Sequence, residues 1–164
     1  MEGEASSLTG RPARLLIADE HELVREGLKA VLEGEPEFKV VGEAGDGCEV
    51  LQLCRELGPD VVLMDMRMRR ADGLEVTRAI REELPSTAVV IVTLLNPTDY
   101  FSEAIEAGAA DYVLKDVPHH DLVSTVRRVL SGGKPPRRYR RAAYGHTPVS
   151  PRGFESRRSP SNIT

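Results

Sequence analysis

The sequence predicts an α/β fold, a doubly wound five-stranded parallel sheet with helices on both faces. Three observations carry this. Short apolar runs recur without polar alternation, Val61-Val62-Leu63-Met64 being the cleanest. Such runs read as strands buried on both faces. Segments of helical periodicity separate them in strict alternation, giving five strands and five helices across residues 14–131. The connections are short, which implies βαβ units with right-handed crossovers.

Arg14-Leu15-Leu16-Ile17-Ala18 is the first strand and runs into Asp19-Glu20-His21. Leu23, Val24, Leu28, Val31 and Leu32 then recur at helical spacing, with Gly34 as a stop and Pro36 beyond it. Residues 38–41 form the second strand. Asp46 is positioned as the N-cap of a helix carrying Val50, Leu51, Leu53, Cys54 and Leu57, which Gly58-Pro59 ends. The third strand stops at Asp65. A loop from Arg67 to Asp72 leads into Gly73 and a helix using Leu74, Val76, Thr77, Ile80 and Leu84, stopped by Pro85. Residues 88–92 are the fourth strand, with Thr93 at its end. Asn96-Pro97-Thr98 opens a helix containing Phe101, Ala104 and Ile105, closed by Gly108. Residues 112–114 are the fifth strand, followed by Lys115-Asp116. The last helix is expected to bury Leu122, Val123, Val126, Val129 and Leu130 and to end at Gly132-Gly133.

Charge divides the chain. Residues 1–133 carry a net −11, whereas residues 134–164 carry +7. The second stretch is rich in Pro, Arg, Ser and Gly and has no apolar period. These patterns predict a flexible N-terminus at 1–12, a folded domain at 13–133 and a disordered basic tail at 134–164. No apolar run approaches the roughly 20 residues of a membrane helix, and the N-terminus lacks a signal-peptide core. A cytoplasmic protein with no membrane partner is expected. Cys48 and Cys54 fall six positions apart on one helix, about 9 Å along its axis, too far for a disulfide. They are expected to be free thiols.

The strand ends bring chemistry together. Asp19 and Glu20 follow the first strand, Asp65 the third, Thr93 the fourth and Lys115 the fifth. In the flavodoxin-like order 2-1-3-4-5, strands one and three flank the switch point, and ligands sit outside the carboxyl ends of the strands. Three carboxylates would then share a crevice with a hydroxyl and an ammonium. Crowded acids raise one another's pKa unless cations hold them ionised. Lys115 supplies one charge. A hard divalent ion supplies two, and an all-oxygen ligand set suits Mg²⁺. Such a site favours a phosphoryl group attacked in line by a carboxylate.

At this point the chain resembles the receiver domain of two-component response regulators. The resemblance rests on Leu16-Ile17-Ala18-Asp19-Glu20-His21, Met64-Asp65-Met66-Arg67-Met68 through Asp72-Gly73, Val92-Thr93, and residues 107–116, in order and at family spacing. It covers residues 14–131 and is nearest to the LuxR/NarL-type subfamily, whose members join a receiver to a helix-turn-helix DNA-binding domain. The resemblance implies a phosphoacceptor rather than an enzyme. Asp65 would be phosphorylated by a histidine kinase, with transfer from small donors and self-catalysed loss also in the family's repertoire. Asp19, Asp65 and the backbone carbonyl of Arg67 would bind Mg²⁺, with Glu20 acting mainly through water. Thr93 and Lys115 would contact the phosphoryl group. Tyr112 would be the switch aromatic, turning inward as Thr93 moves, with a half-buried strand residue as the competing reading. A homodimer is a further expected partner state, through the fourth helix, fifth strand and fifth helix or through the first and last helices.

Several residues depart from the family pattern. Arg69 and Arg70 follow Met68 where Pro is usual at position 69, which is expected to loosen the loop and add two positive charges near the pocket. Leu94 replaces a residue that is often smaller, and is expected to narrow access to the acceptor. A family chain would continue into four helices. Residues 134–164 show no helix pair and no apolar stripe, so the resemblance stops short of the C-terminal helix-turn-helix domain. That stretch reads equally as a natural basic tail, a frameshifted or truncated remainder, or an artificial end. DNA is expected as a partner only through an output domain supplied elsewhere or through the basic tail, where Arg137-Arg138-Tyr139-Arg140-Arg141 would grip phosphates. His21 reads as a helix-start residue, and His119-His120 as solvated. Two other functions stay open. One is a pseudo-receiver that only binds protein, the other a nucleic-acid binder acting through the tail.

Overall fold

The computed structural model describes residues 10–135. The elements alternate as predicted: β1 (Ala13–Ala18), α1 (Glu22–Glu33), β2 (Phe38–Ala44), α2 (Gly47–Leu57), β3 (Val61–Met64), α3 (Gly73–Glu83), β4 (Ala88–Thr93), α4 (Pro97–Ala107), β5 (Asp111–Leu114) and α5 (His119–Leu130). The sheet has the order β2-β1-β3-β4-β5, with every pairing parallel. The expectations for the ends of the chain, including the Arg137–Arg141 run, lie almost wholly outside the described residues. No described helix is long and apolar enough to cross a membrane.

Strand period explains the two cores. Successive side chains leave a strand on opposite faces. Leu16, Ala18, Val62, Met64, Val89, Ile91 and Tyr112 therefore face one way, onto Val50 and Cys54 of α2, Val76 and Ile80 of α3, and Phe101 and Ala104 of α4. Leu15, Ile17, Val61, Leu63, Val90, Val92 and Val113 face the other way, onto Leu32 of α1 and Leu122, Val123, Val126 and Val129 of α5. Both faces of the central strands are covered, which is why their sequences lack polar alternation.

The helices begin and end where local chemistry dictates. Asp46, Asp72 and Asn96 each accept a hydrogen bond from a first-turn N–H, on Glu49, Glu75 and Thr98. At α2 the Glu49 carboxylate also reaches back past the cap, its Oε1 accepting from Gly45 N–H at 2.8 Å. Gly58 and Gly108 close α2 and α4 in left-handed conformation. Asp72→Ala removes the cap nearest the candidate site. It is expected to cost about 1 kcal/mol, read as a lower denaturation midpoint with unchanged slope.

The structure corrects some expectations. β2 runs three residues past Val41, to Ala44, because β1 keeps pairing as far as Ala18↔Ala44 after an irregularity at Leu15/Leu16. Leu130, expected to be buried, is exposed, as is Leu23. Both belong to the apolar period, but Leu130 is the final residue of α5 and Leu23 the second of α1. Cys48 is exposed and Cys54 buried, and both are free. Burial pushes the Cys54 thiol up to about 11, against a small lowering by Arg55, so it is inert at neutral pH.

Candidate functional site

Register puts the candidate residues side by side. Ala18 pairs with Met64 at the ends of β1 and β3, so Asp19 and Asp65 leave adjacent strands at the same level. Asp65 N–H donates to Ala18 O at 3.0 Å, and Asp19 N–H to Ala44 O at 3.0 Å. Thr93 pairs with Leu114 at the end of β4 and β5, and Lys115 N–H donates to Thr93 O at 2.8 Å. Lys115 therefore leaves the sheet facing the two acids.

The Lys115 ammonium bridges them. Nζ lies 2.7 Å from Asp19 Oδ2 and 3.1 Å from Asp65 Oδ2. Burial by itself lowers the lysine's pKa, but the Asp19 hydrogen bond and the Asp65 charge outweigh it, and the ammonium is held above its ordinary value. Asp19 and Asp65 are both buried, with 1% and 7% of their surface exposed. Asp65 Oδ1 has no hydrogen-bond partner among the described residues.

Asp19 is held at every polar atom. Its Oδ1 accepts from His21 N–H at 2.9 Å, with His21 Nδ1 3.1 Å away. Its carbonyl accepts from the Arg25 guanidinium at 2.7 Å, and Arg25 Nε is bonded to Glu43 Oε1 at 3.1 Å. Sequence reasoning missed Arg25 and the contact of the His21 ring. The signal for Arg25 was its place in the first turns of α1, from which a long side chain reaches back over the preceding loop.

Glu20 and Thr93 stand near this cluster without joining it. Glu20 is part-exposed and lies 3.8 Å from both His21 Nε2 and Arg69 Nε. Thr93 is buried, and its Oγ1 accepts a long bond from Leu95 N–H at 3.4 Å. The Leu95 carbonyl in turn accepts from the Tyr112 hydroxyl at 2.7 Å. Tyr112 is fully buried rather than half-buried, with its ring edge-on to Phe101 at 6.1 Å. Leu95 thus links Thr93 to Tyr112 through its own backbone. Leu94 is 70% exposed, so it is not packed down as a plug over the acceptor.

The loop from Arg67 to Asp72 is tied down, not loosened. The Arg69 carbonyl accepts from Gly47 N–H at 3.0 Å and from Ala71 N–H at 2.8 Å, while Gly73 N–H donates to Met66 O at 2.8 Å. A Cβ at Gly47 would sit 2.4 Å from the Ala71 carbonyl oxygen.

The residues present fit Mg²⁺. Asp19 and Asp65 aim one oxygen each at a single cationic point, now held by Lys115 Nζ, and no described donor is bonded to the Arg67 carbonyl. No cluster of three or more His, Cys, Asp or Glu side chains able to chelate a metal occurs among the described residues. A two-carboxylate, oxygen-only set suits an ion that keeps several of its waters. His119 and His120 are exposed at the start of α5, with His120 paired to Asp121.

Comparisons with known proteins agree with this geometry. Residues 15–127 match the family described as the response regulator receiver domain. The transcriptional regulatory protein LiaR of Bacillus subtilis is 41% identical over 119 residues, which are 73% of this chain and 56% of LiaR. The chain therefore spans about half the length of that curated relative. The receiver domain of NarL from Mycobacterium tuberculosis superposes with a TM-score of 0.72 at 34% identity, covering 74% of this chain and 98% of that one. A LuxR-family response regulator from Aurantimonas sp. SI85-9A1 gives a TM-score of 0.75 at 33% identity, covering 80% and 95%. The fold, the matched family and these relatives together place the chain in the response regulator receiver family of two-component systems, among regulators of the LuxR/NarL type.

Proposed function

We propose that Asp65 is the phosphoacceptor of this receiver and that a histidine kinase is its donor. The observation that carries this is the Lys115 ammonium set between Asp19 Oδ2 and Asp65 Oδ2, with Asp65 Oδ1 unbonded among the described residues. In the step proposed, Oδ1 attacks phosphorus in line, a carboxyl–phosphate bond forms, and the bond to the donor breaks with its electron pair leaving on the donor. Lys115 moves from the carboxylate pair onto a phosphoryl oxygen. Thr93 gives up the Leu95 N–H and donates its own hydroxyl to another. Freed from Thr93, the Leu95 backbone and Tyr112 are the switch, because a hydroxyl drawn to phosphate changes what the Leu95 N–H can bond.

Asp19, Asp65 and the Arg67 carbonyl would hold Mg²⁺, with Glu20 contributing through water. When bound, the ion supplies two positive charges that offset the phosphoryl oxygens. Residues 13–133 form the receiver unit in this reading. Control of transcription is the output we assign to the whole protein, following the relatives' names as transcriptional regulators.

The test is incubation of the full chain with acetyl phosphate and Mg²⁺, followed by intact mass and hydroxylamine treatment. One phosphoryl group, released by hydroxylamine as an acyl phosphate is, is expected on the wild type and none on Asp65→Asn. A phosphoryl group that persists on Asp65→Asn sinks the assignment. No phosphorylation of the wild type, with the fold intact, favours a pseudo-receiver that works only by binding protein.

A further inference from the structure

The loop between β3 and α3 carries Arg67, Arg69 and Arg70 beside an acidic pocket, and residues 1–133 together carry a net charge of −11. Its backbone is fixed. The Arg69 carbonyl is bonded to two N–H groups, and Arg70 takes a left-handed φ of 75°, rare for a residue with a side chain. This turn sends the two guanidinium groups to different acids. Arg69 Nε lies 3.8 Å from Glu20 Oε1 and Arg70 Nε 3.8 Å from Asp46 Oδ2. Asp46 caps α2, whereas Glu20 stands at the mouth of the crevice, next in sequence to Asp19.

We propose that Arg69 is a counter-ion that competes with the divalent cation for Glu20, and so sets how tightly the unphosphorylated site holds that cation. The inference rests on reading the acidic pocket as the cation site. Glu20 is part-exposed and, among the described residues, has no neutral hydrogen-bond donor holding it; its near neighbours there are His21 and Arg69. A divalent ion held by Asp19 and Asp65 would attract the Glu20 carboxylate. The Arg69 guanidinium draws the same carboxylate across the mouth. Whichever charge Glu20 serves, the other loses a partner. Arg69 is itself 73% exposed, so the competition is solvent-screened and worth a few-fold, not orders of magnitude.

The test uses the full, unphosphorylated chain and Mn²⁺ as the probe, with free Mn²⁺ read by electron paramagnetic resonance at low and high salt. Arg69→Ala is expected to tighten Mn²⁺ binding about two- to fivefold at low salt, and less at high salt. Arg69→Lys stays near the wild type. In a Glu20→Gln background, Arg69→Ala is expected to have no effect, because the carboxylate under competition is gone. Arg70→Ala, which removes the same charge one residue away, is expected to change binding less. Equal tightening by Arg69→Ala and Arg70→Ala, or a gain that persists with Glu20→Gln, overturns the proposal in favour of a diffuse charge effect. Unchanged binding in Arg69→Ala overturns it outright and leaves the cation site standing. Absence of Mn²⁺ binding in every variant overturns both readings.

Discussion

Lys115→Ala is expected to slow phosphoryl transfer to Asp65 about 100-fold, the usual cost of removing one positioned donor from a site where charge is redistributed. The same change is expected to lower stability by about 3 kcal/mol at pH 7, toward the low end for taking one member out of a buried ion pair. Two buried carboxylates lose the ammonium that lies 2.7 and 3.1 Å from them. The pH dependence follows from the raised pKa of Lys115. The folded state favours the charged lysine, so its stabilisation is fully present below the unfolded value of about 10.4. It is lost as pH rises through the higher folded value. The gap between wild type and variant in denaturant midpoint should therefore hold across neutral pH and narrow only in strong alkali. Mg²⁺ should stabilise the variant more than the wild type, since it supplies the missing positive charge. A variant as stable as the wild type at pH 7 without Mg²⁺ contradicts the ion-bridge account.

Gly73→Ala is expected to destabilise the protein by about 3 kcal/mol, although alanine is the better helix former by up to about 1 kcal/mol. The opposing term is space. A Cβ at Gly73 would lie 2.4 Å from the Asp65 carbonyl oxygen, 2.9 Å from Met66 Cα and 3.0 Å from the Met66 carbonyl oxygen. All three are backbone atoms, so no rotamer change clears them. Either α3 backs away or the strand end that carries Asp65 shifts. Urea unfolding reads the first effect and the rate of phosphorylation by acetyl phosphate reads the second. Gly27→Ala is the control, because nothing lies within 4 Å of a Cβ there and it sits inside α1. It is expected to be neutral or stabilising by up to about 1 kcal/mol. A Gly73→Ala protein as stable as the Gly27→Ala protein means that the close approach of α3 to the acceptor is wrong.

Most of the fold was legible because it rests on local and periodic signals. Val61 to Met64 announces a strand covered on both sides. Asp46 and Asn96 announce helix starts, and Gly58 and Gly108 helix stops. Where periodicity misled, at Leu23 and Leu130, the reason is position. Period tells which face of a helix is apolar, but not how far along its length the sheet extends beneath it. The last turns of β2 were illegible for a related reason, since Gly42 and Glu43 are not strand formers and are held in the strand by pairing with β1.

The candidate site divides in the same way. Asp19, Asp65, Thr93 and Lys115 could be named from the sequence, because each follows a strand that the sequence marks and a parallel sheet gathers the carboxyl ends of its strands. Which of them touch was decided by tertiary structure. Register put Asp19 and Asp65 level, and the ammonium of Lys115 fell between those two, not on Glu20 or Thr93. The clamp of Arg25 on the Asp19 carbonyl, the path from Thr93 through Leu95 to Tyr112, and the reach of Arg69 to Glu20 join residues on different elements at distances no spacing rule encodes. Pattern along a chain records what each segment is, whereas contact depends on where packing and backbone pairing fix the segments relative to one another.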